Sequence, residues 1–362
     1  MENRKKATLC LDNGQTFEGY ALGCTATVSG EIVFSTAMTG YPEQLTDPTY
    51  HGQILCLTYP MIGNYGMPSE ETCKKSGLMK NYESEKVQPS GLVIFDYCED
   101  YSNWEAVKSL EQWMKEQGLT GIMGVDTREV AKSIRDAKGP LRGRIQLDGV
   151  TENGFSKEVY GPADVTCKEV ISYSPCESCG NRKKVVLIDC GVKHSVVRSL
   201  VKSGCEVIRV PYNYDFTGME YDGVFVSNGP GDPTLCYETV ALLKKVMETG
   251  KPVFGYNLGF LLMARAAGCE TKRLDRAHRS ANQPVRENGT NKAYITSQNT
   301  GYTVVESSIP EDWDVYFTNL NDGAVDGIRH KNLPFMGMQF DPAVCVRLNS
   351  DMTPFKEFIQ KL

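Results

Sequence analysis

Histidine and tryptophan are scarce in this 362-residue chain, with four of the first (His51, His194, His278, His330) and three of the second (Trp104, Trp113, Trp313). No histidine pair stands at zinc-finger spacing, and Cys176-x-x-Cys179 has no second Cys-x-x-Cys to complete a four-ligand set. Two incidental cysteines are the reading for that pair, and no metal is expected. No apolar run is long enough to span a bilayer, and the charged start Met1–Asp12 has no apolar stretch behind it. A cytoplasmic location is therefore the expectation. A net charge of -6 removes any global pull toward nucleic acid or anionic membranes. Walker A and kinase-type glycine loops are also missing, so this chain offers no ATP site of those kinds. The thirteen cysteines are odd in number and scattered through apolar contexts, which fits reduced core thiols better than a disulfide framework.

What is present is ordinary globular composition, 41% hydrophobic and 23% charged, in a length that allows two or three domains. Residues 1–150 read as a mixed, β-rich α/β domain. Strands are expected at residues 7–11, 16–20, 31–36, 53–58 and 91–95, and helices at 104–115 and 127–135, the latter capped by Asp126. Residues 151–182, without periodicity and rich in Gly, Pro, Ser and Cys, read as a linker. From 183 to 362 the texture changes. Continuous apolar strands at 185–189, 205–210 and 223–227 alternate with helices at 195–202 and 239–250, which predicts a largely parallel, flavodoxin-like sheet covered on both faces. In such a sheet a site belongs at the carboxyl ends of the strands.

Two motifs fall there. Ser227-Asn-Gly-Pro-Gly-Asp-Pro233 follows one strand, and Gly255-Tyr-Asn-Leu-Gly259 turns another straight into an apolar helix. The second has the form of a nucleophile elbow, a strained strand-to-helix corner whose flanking glycines prevent clashes. Its centre is Asn257, which tolerates positive φ better than other non-glycine residues but cannot attack a carbonyl.

Together with Gln298-Asn-x-Gly-Tyr302, these motifs resemble class I glutamine amidotransferase domains, which use a Cys-His-Glu triad. The segments Gly30–Tyr41, Leu45–Tyr50 and Leu57–Asn64 look like the small subunit of carbamoyl-phosphate synthetase, so the resemblance covers nearly the whole chain. It implies a subunit that hydrolyses glutamine and passes ammonia to a large, ATP-dependent partner, with ATP and magnesium expected on that large subunit and no cofactor in this chain. By the resemblance, substrate-binding positions fall on Thr49, Gly229, Gly231, Leu258, Leu261, Asn299, Gly301 and Tyr302, and the amides of Gly231 and Leu258 are candidates for an oxyanion hole. Leu261 replaces the family's Gln, and Phe260 precedes it in place of His.

The three triad-equivalent positions are Asn257, Asp341 and Ala343, so no catalytic residue is intact. Loss of one triad member already costs orders of magnitude, and an ordinary carboxylate at Asp341 is a weak base for amide hydrolysis. Cys190 and Cys345 do not sit on an elbow. Ser280 and Ala281 stand where the family has two glycines, with Arg276, His278 and Arg279 beside them. That stretch reads as a pocket closed to glutamine, as one retuned to an anion, or as drift on a solvated loop. Three functions compete: a non-hydrolytic small subunit that binds and supports the large one, a working glutaminase subunit, and a repurposed ligand-binding protein.

Overall fold

A computed structural model describes residues 4–74, 76–137, 139–150, 154–175, 183–341 and 353–362. The chain divides into two compact units, Met1–Val159 and Tyr160–Leu362.

The first unit is built on a closed barrel. Its strands include β1 (Lys6–Leu11), β2 (Thr16–Gly23), β3 (Val28–Ser35) and β4 (Ile54–Leu57). The helix α1 (Tyr41–Leu45) lies between β3 and β4. Two ribbons of paired short strands sit outside the barrel: β5 (Met61–Ile62) with β8 (Asp96–Tyr97), and β6 (Met67–Pro68) with β9 (Ala106–Lys108). With β7 (Gly91–Val93), β10 (Thr120–Met123) and β11 (Arg142–Leu147) the barrel order is β1-β11-β3-β4-β7-β10-β2. All four residues of β4 are buried, because alternate side chains feed two cores. Ile54 and Cys56 join Leu9, Ile32 and Ile145, whereas Leu55 and Leu57 join Trp113 and Met114.

Helix α2 (Leu110–Gln117) is shorter than the expected 104–115. Ser109 is its N-cap, its hydroxyl accepting from the Gln112 amide at 3.2 Å, so a side-chain cap decides the start where apolar spacing alone extended it backward. Trp104 is left outside the helix. Helix α3 (Thr127–Asp136) carries the expected cap, Asp126 accepting from the amides of Arg128 and Glu129.

The second unit begins inside the stretch read as a linker. Helix α4 (Pro162–Val165) and strand β12 (Ile171–Tyr173) belong to it, and β12 pairs antiparallel with β14 (Glu206–Pro211). The Cys167 amide donates to Asp189 and the Tyr212 amide to Thr166. These backbone bonds need no apolar periodicity, which is why composition alone marked the segment as linker. Cys176 and Cys179 lie outside the described residues.

Strands β13 (Lys184–Asp189), β14, β15 (Gly223–Val226), β16 (Val253–Tyr256) and β21 (Phe335–Met338) form the parallel centre. Helices α5 (His194–Lys202), α6 (Tyr237–Glu248) and α7 (Leu258–Ala266) connect it, and Thr353–Lys361 forms a further helix near the C-terminus. Beyond β21 the sheet continues antiparallel through β20 (Val325–His330), β18 (Ala293–Val304), β17 (Thr271–Glu287) and β19 (Trp313–Asn319). The stretch with Ser280 and Ala281 is thus a strand, not a loop. Its register with β18 slips twice, between Arg273 and His278 and between Ser280 and Gln283.

Helix α7 is apolar nearly all round because it is buried on nearly all sides, Leu258 through Ala264 lying in the core. Gly259 permits that approach: a Cβ there would stand 2.2 Å from the Val226 carbonyl oxygen. Replacing Gly259 by Ala should therefore destabilise the second unit by about 3 kcal/mol or more, read as a lowered urea midpoint. An unchanged midpoint would show that the helix can shift freely.

Candidate functional site

The elbow forms where β16 ends. Asn257 has φ 51 and ψ -112, and among the described residues it is the one non-glycine with positive φ. Its ψ lies away from the ordinary left-handed well, in a region that turns normally reserve for glycine. Hydrogen bonds hold it there. Its amide donates to the Met338 carbonyl at 2.9 Å, fixing the corner to β21, and its own carbonyl accepts from the Leu261 amide at 3.2 Å, opening helix α7.

The side chain is committed as well. Asn257 Oδ1 accepts from the Leu258 amide at 2.9 Å, and Asn257 Nδ2 donates to the Asn299 carbonyl at 3.0 Å. The N–H that the resemblance assigns to an oxyanion hole is therefore met by the carboxamide of the neighbouring residue. Asn299 Oδ1 in turn accepts from the Arg279 guanidinium at 2.7 Å. The family's Gln position, Leu261, is buried in the core beside Phe260 and presents no polar atom.

Asp341 comes to the same end of the sheet. Its amide donates to the Ser297 carbonyl at 3.2 Å, and its carboxylate accepts from Lys193 Nζ in an ion pair whose two side chains are about nine-tenths buried. Lys193 is the N-cap residue of α5, and its ammonium stands 5.8 Å from the Tyr256 ring centroid, just before the elbow. A buried carboxylate in contact with a cation serves first as counter-ion, since removing either charge leaves the other desolvated. Lys193 escaped the sequence reading, yet Asp189-Cys-Gly-Val-Lys193 follows a parallel strand, where site residues collect. Also missed was Asp189, which is wholly buried and bonds Arg209 at 2.6 Å and the amides of Gly191 and Val192, shaping that turn.

Of the other expected positions, Gly229 packs on the backbone of Cys190, where a Cβ would meet its carbonyl oxygen at 1.9 Å. Gly231 is exposed at φ 103. Gly301 and Tyr302 are half-buried on β18, with the Tyr302 carbonyl accepting from Gln339 Nε2 at 2.9 Å and the Arg273 guanidinium 5.7 Å from its ring centroid. Thr49 belongs to the first unit, where its amide donates to Asp47. Ala343 and Cys345 lie outside the described residues. Among the described residues no group of three or more His, Cys, Asp or Glu side chains gathers as a metal site. None of their helices is long and apolar enough to cross a membrane.

His278, in the stretch read as a closed or retuned pocket, instead turns into the antiparallel extension. Its ring nitrogens lie 3.1 Å from Gln298 Oε1 and 2.8 Å from Asp322 Oδ2. Asp326, buried beside it, accepts from Gln298 at 2.6 Å and Asn319 at 3.0 Å. Burial pushes the Asp326 carboxyl up to about 6, against the pull of its amide donors and of His278.

Residues 9–145 match the family described as carbamoyl-phosphate synthase small chain, CPSase domain, and residues 186–361 match glutamine amidotransferase class-I. The carbamoyl phosphate synthase arginine-specific small chain of Neosartorya fischeri is 41% identical over 347 residues, covering 93% of this chain and 76% of that one. The chain belongs to the carbamoyl-phosphate synthase small-chain family. Two longer relatives are similar over 93% of this chain. They are a carbamoyl-phosphate synthase [ammonia] from Aquarana catesbeiana, 43% identical, and a multifunctional protein CAD from Squalus acanthias, 44% identical. The chain spans only 22% and 15% of their respective lengths.

Two outcomes follow from this geometry. Asn257→Gly keeps the backbone but loses both side-chain bonds, whereas Asn257→Ala loses them and adds strain. Ala should therefore be less stable than Gly by about 1 kcal/mol, seen as a lower thermal midpoint, and the reverse order would remove strain from the account. For Asp326, the folded carboxyl holds its proton to higher pH than the unfolded one, which ionises near about 4. Its contribution to stability is full below that value and lost as pH rises through about 6. Asp326→Asn should abolish that loss, so that its stability relative to the parent rises between the two values in pH-dependent urea unfolding. A constant difference would contradict the assignment.

Proposed function

We propose that this chain is a small-chain component of carbamoyl-phosphate synthase that no longer hydrolyses glutamine. It supports an ATP-dependent large chain that takes its nitrogen as ammonia. The observation that carries this reading is the Asn257 carboxamide, which occupies the Leu258 amide and the Asn299 carbonyl at the place where a thiolate would attack. A hydrolytic cycle needs a nucleophile, a base to activate it and a vacant pair of amides for the developing oxyanion. Here the nucleophile position is a carboxamide, the base position is a carboxylate in contact with Lys193, and one of the amides is already engaged.

The 43% identity to a protein named for ammonia supports the nitrogen source. The arrangement of Arg279 and His278 weighs against a retuned anion pocket, because one bonds Asn299 and the other is buried against Gln298 and Asp322. Family membership over 93% of the chain favours a retained partner over a repurposed binder.

The test is carbamoyl phosphate formation by this chain together with its large chain, with glutamine or ammonium as nitrogen donor. Ammonium should support synthesis and glutamine should not, with glutamate release at the buffer background. The triple variant Asn257→Cys/Asp341→His/Ala343→Glu serves as the hydrolytic comparison. Glutamate release by the unaltered chain that disappears in Asn257→Ala would overturn the reading.

A further inference from the structure

The corner that strains Asn257 also sets it up for a reaction of its own. Around the Cα–C bond, Cβ stands about a third of a turn from the residue's own nitrogen, so one value of ψ, near minus a third of a turn, brings the next residue's nitrogen into eclipse with Cβ. Helices and strands keep ψ well away from that value. Asn257, with ψ -112, lies close to it. The Leu258 nitrogen accordingly stands 2.9 Å from Asn257 Oδ1. One bond from that oxygen is Cγ, the carbon the same nitrogen would attack to close a five-membered ring.

An intramolecular attack gains most of its rate from having this arrangement fixed in advance. Here the fold fixes it. The Asn257 amide is held by the Met338 carbonyl and its carbonyl by the Leu261 amide, so the corner cannot relax to an ordinary conformation without breaking both bonds. The nitrogen that would leave, Nδ2, is directed at the Asn299 carbonyl at 3.0 Å. With Asn257 only 6% exposed, little water reaches a ring once it has formed.

We propose that Asn257 is a site of self-modification, at which the Leu258 nitrogen closes on Asn257 Cγ to form a succinimide. The Leu258 nitrogen gives up its proton and bonds Cγ, the Cγ–Nδ2 bond breaks, and the departing nitrogen takes up the proton and leaves as ammonia. No oxidant, reductant or co-reactant is consumed. Slow addition of water to either ring carbonyl then gives aspartate or isoaspartate. Ring closure removes the Leu258 N–H and the Nδ2 donor together, so the bridge from the elbow to Asn299 on β18 is lost. This chemistry belongs to the folded corner and is independent of whether the chain hydrolyses glutamine.

The local sequence alone would rank the asparagines differently. Asparagine before glycine reacts most readily in a free chain, because no side chain crowds the attacking nitrogen, and Asn13-Gly14 and Asn288-Gly289 are such steps. Their geometry is unlike that of the elbow. Asn13 bonds Gln15 through both of its side-chain polar atoms, and the Gly14 amide donates to the Leu11 carbonyl at 3.0 Å. The Asn288 carboxamide donates to the Val315 carbonyl and Thr318 Oγ1 and accepts from Arg286. Folding thus holds these carboxamides on other partners and holds that of Asn257 against the next nitrogen.

The test ages the full chain at mildly alkaline pH, folded or in guanidinium chloride, digests it with an acid-active protease that preserves the ring, and weighs the peptides. The peptide spanning Asn257 and Leu258 should become lighter by one ammonia roughly tenfold or more faster in the folded chain than in the unfolded one. Peptides with Asn13 and Asn288 should show the reverse order. Asn257→Gln, whose ring would need a sixth member, should show no such loss. Isoaspartate at position 257 in the folded sample also supports the proposal, since it arises only by opening of the ring. An Asn257 peptide that stays unaltered in the folded chain, or reacts as fast or faster when unfolded, overturns it. So does conversion to aspartate with neither the lighter peptide nor isoaspartate, which would be direct attack by water.

Discussion

The second unit depends on one strained residue whose strain is held by bonds on every side. Asn257 turns the chain from β16 into α7 with a backbone conformation that glycine would adopt more readily. Its amide is tied to β21, its carbonyl to α7, and its carboxamide to both Leu258 and Asn299 on β18. One residue thus links a central strand, the buried helix and the antiparallel extension. A cysteine at this corner could not make the same side-chain bridge, since a thiol has neither the amide donor nor the carbonyl acceptor.

The second constraint is electrostatic. Lys193 and Asp341 are both withdrawn from water, so each requires the other. Their contact draws the loop after β13 toward the loop after β21, across the carboxyl ends of strands that are not neighbours. The strand-to-helix corner is formed, and the side chains at its centre and at the end of β21, Asn257 and Asp341, are both bonded within the unit.

Much of this was legible in the sequence. The apolar runs of β13, β15 and β16 and the glycines around Asn257 specify the parallel centre and the elbow, because each is a local pattern with a local cause. The bridge from Asn257 to Asn299 and the pair between Lys193 and Asp341 were not legible, since they join residues far apart in the chain whose types have many other uses. Strand β17 was hidden for another reason: Lys272, Arg273, Asp275 and Arg276 break the alternation of a half-buried strand, and two register slips break it again. At Trp104, apolar spacing argued for a helix that Ser109 starts later. The family motifs pointed to the carboxyl ends of the strands, but only contacts across the sheet told what the residues there are bonded to.

Everything proposed for the elbow rests on the Asn257 carboxamide keeping its bonds to the Leu258 amide and the Asn299 carbonyl. It is tested most directly by following the Asn257 side-chain amide signal by nitrogen-15 NMR while L-glutamine is added to the full chain. The account predicts two slowly exchanging amide protons whose shifts do not move as glutamine reaches millimolar concentrations. A saturable shift of those resonances would contradict it, for it would mean that glutamine displaces Asn257 from Leu258 and Asn299 and that the elbow still receives substrate.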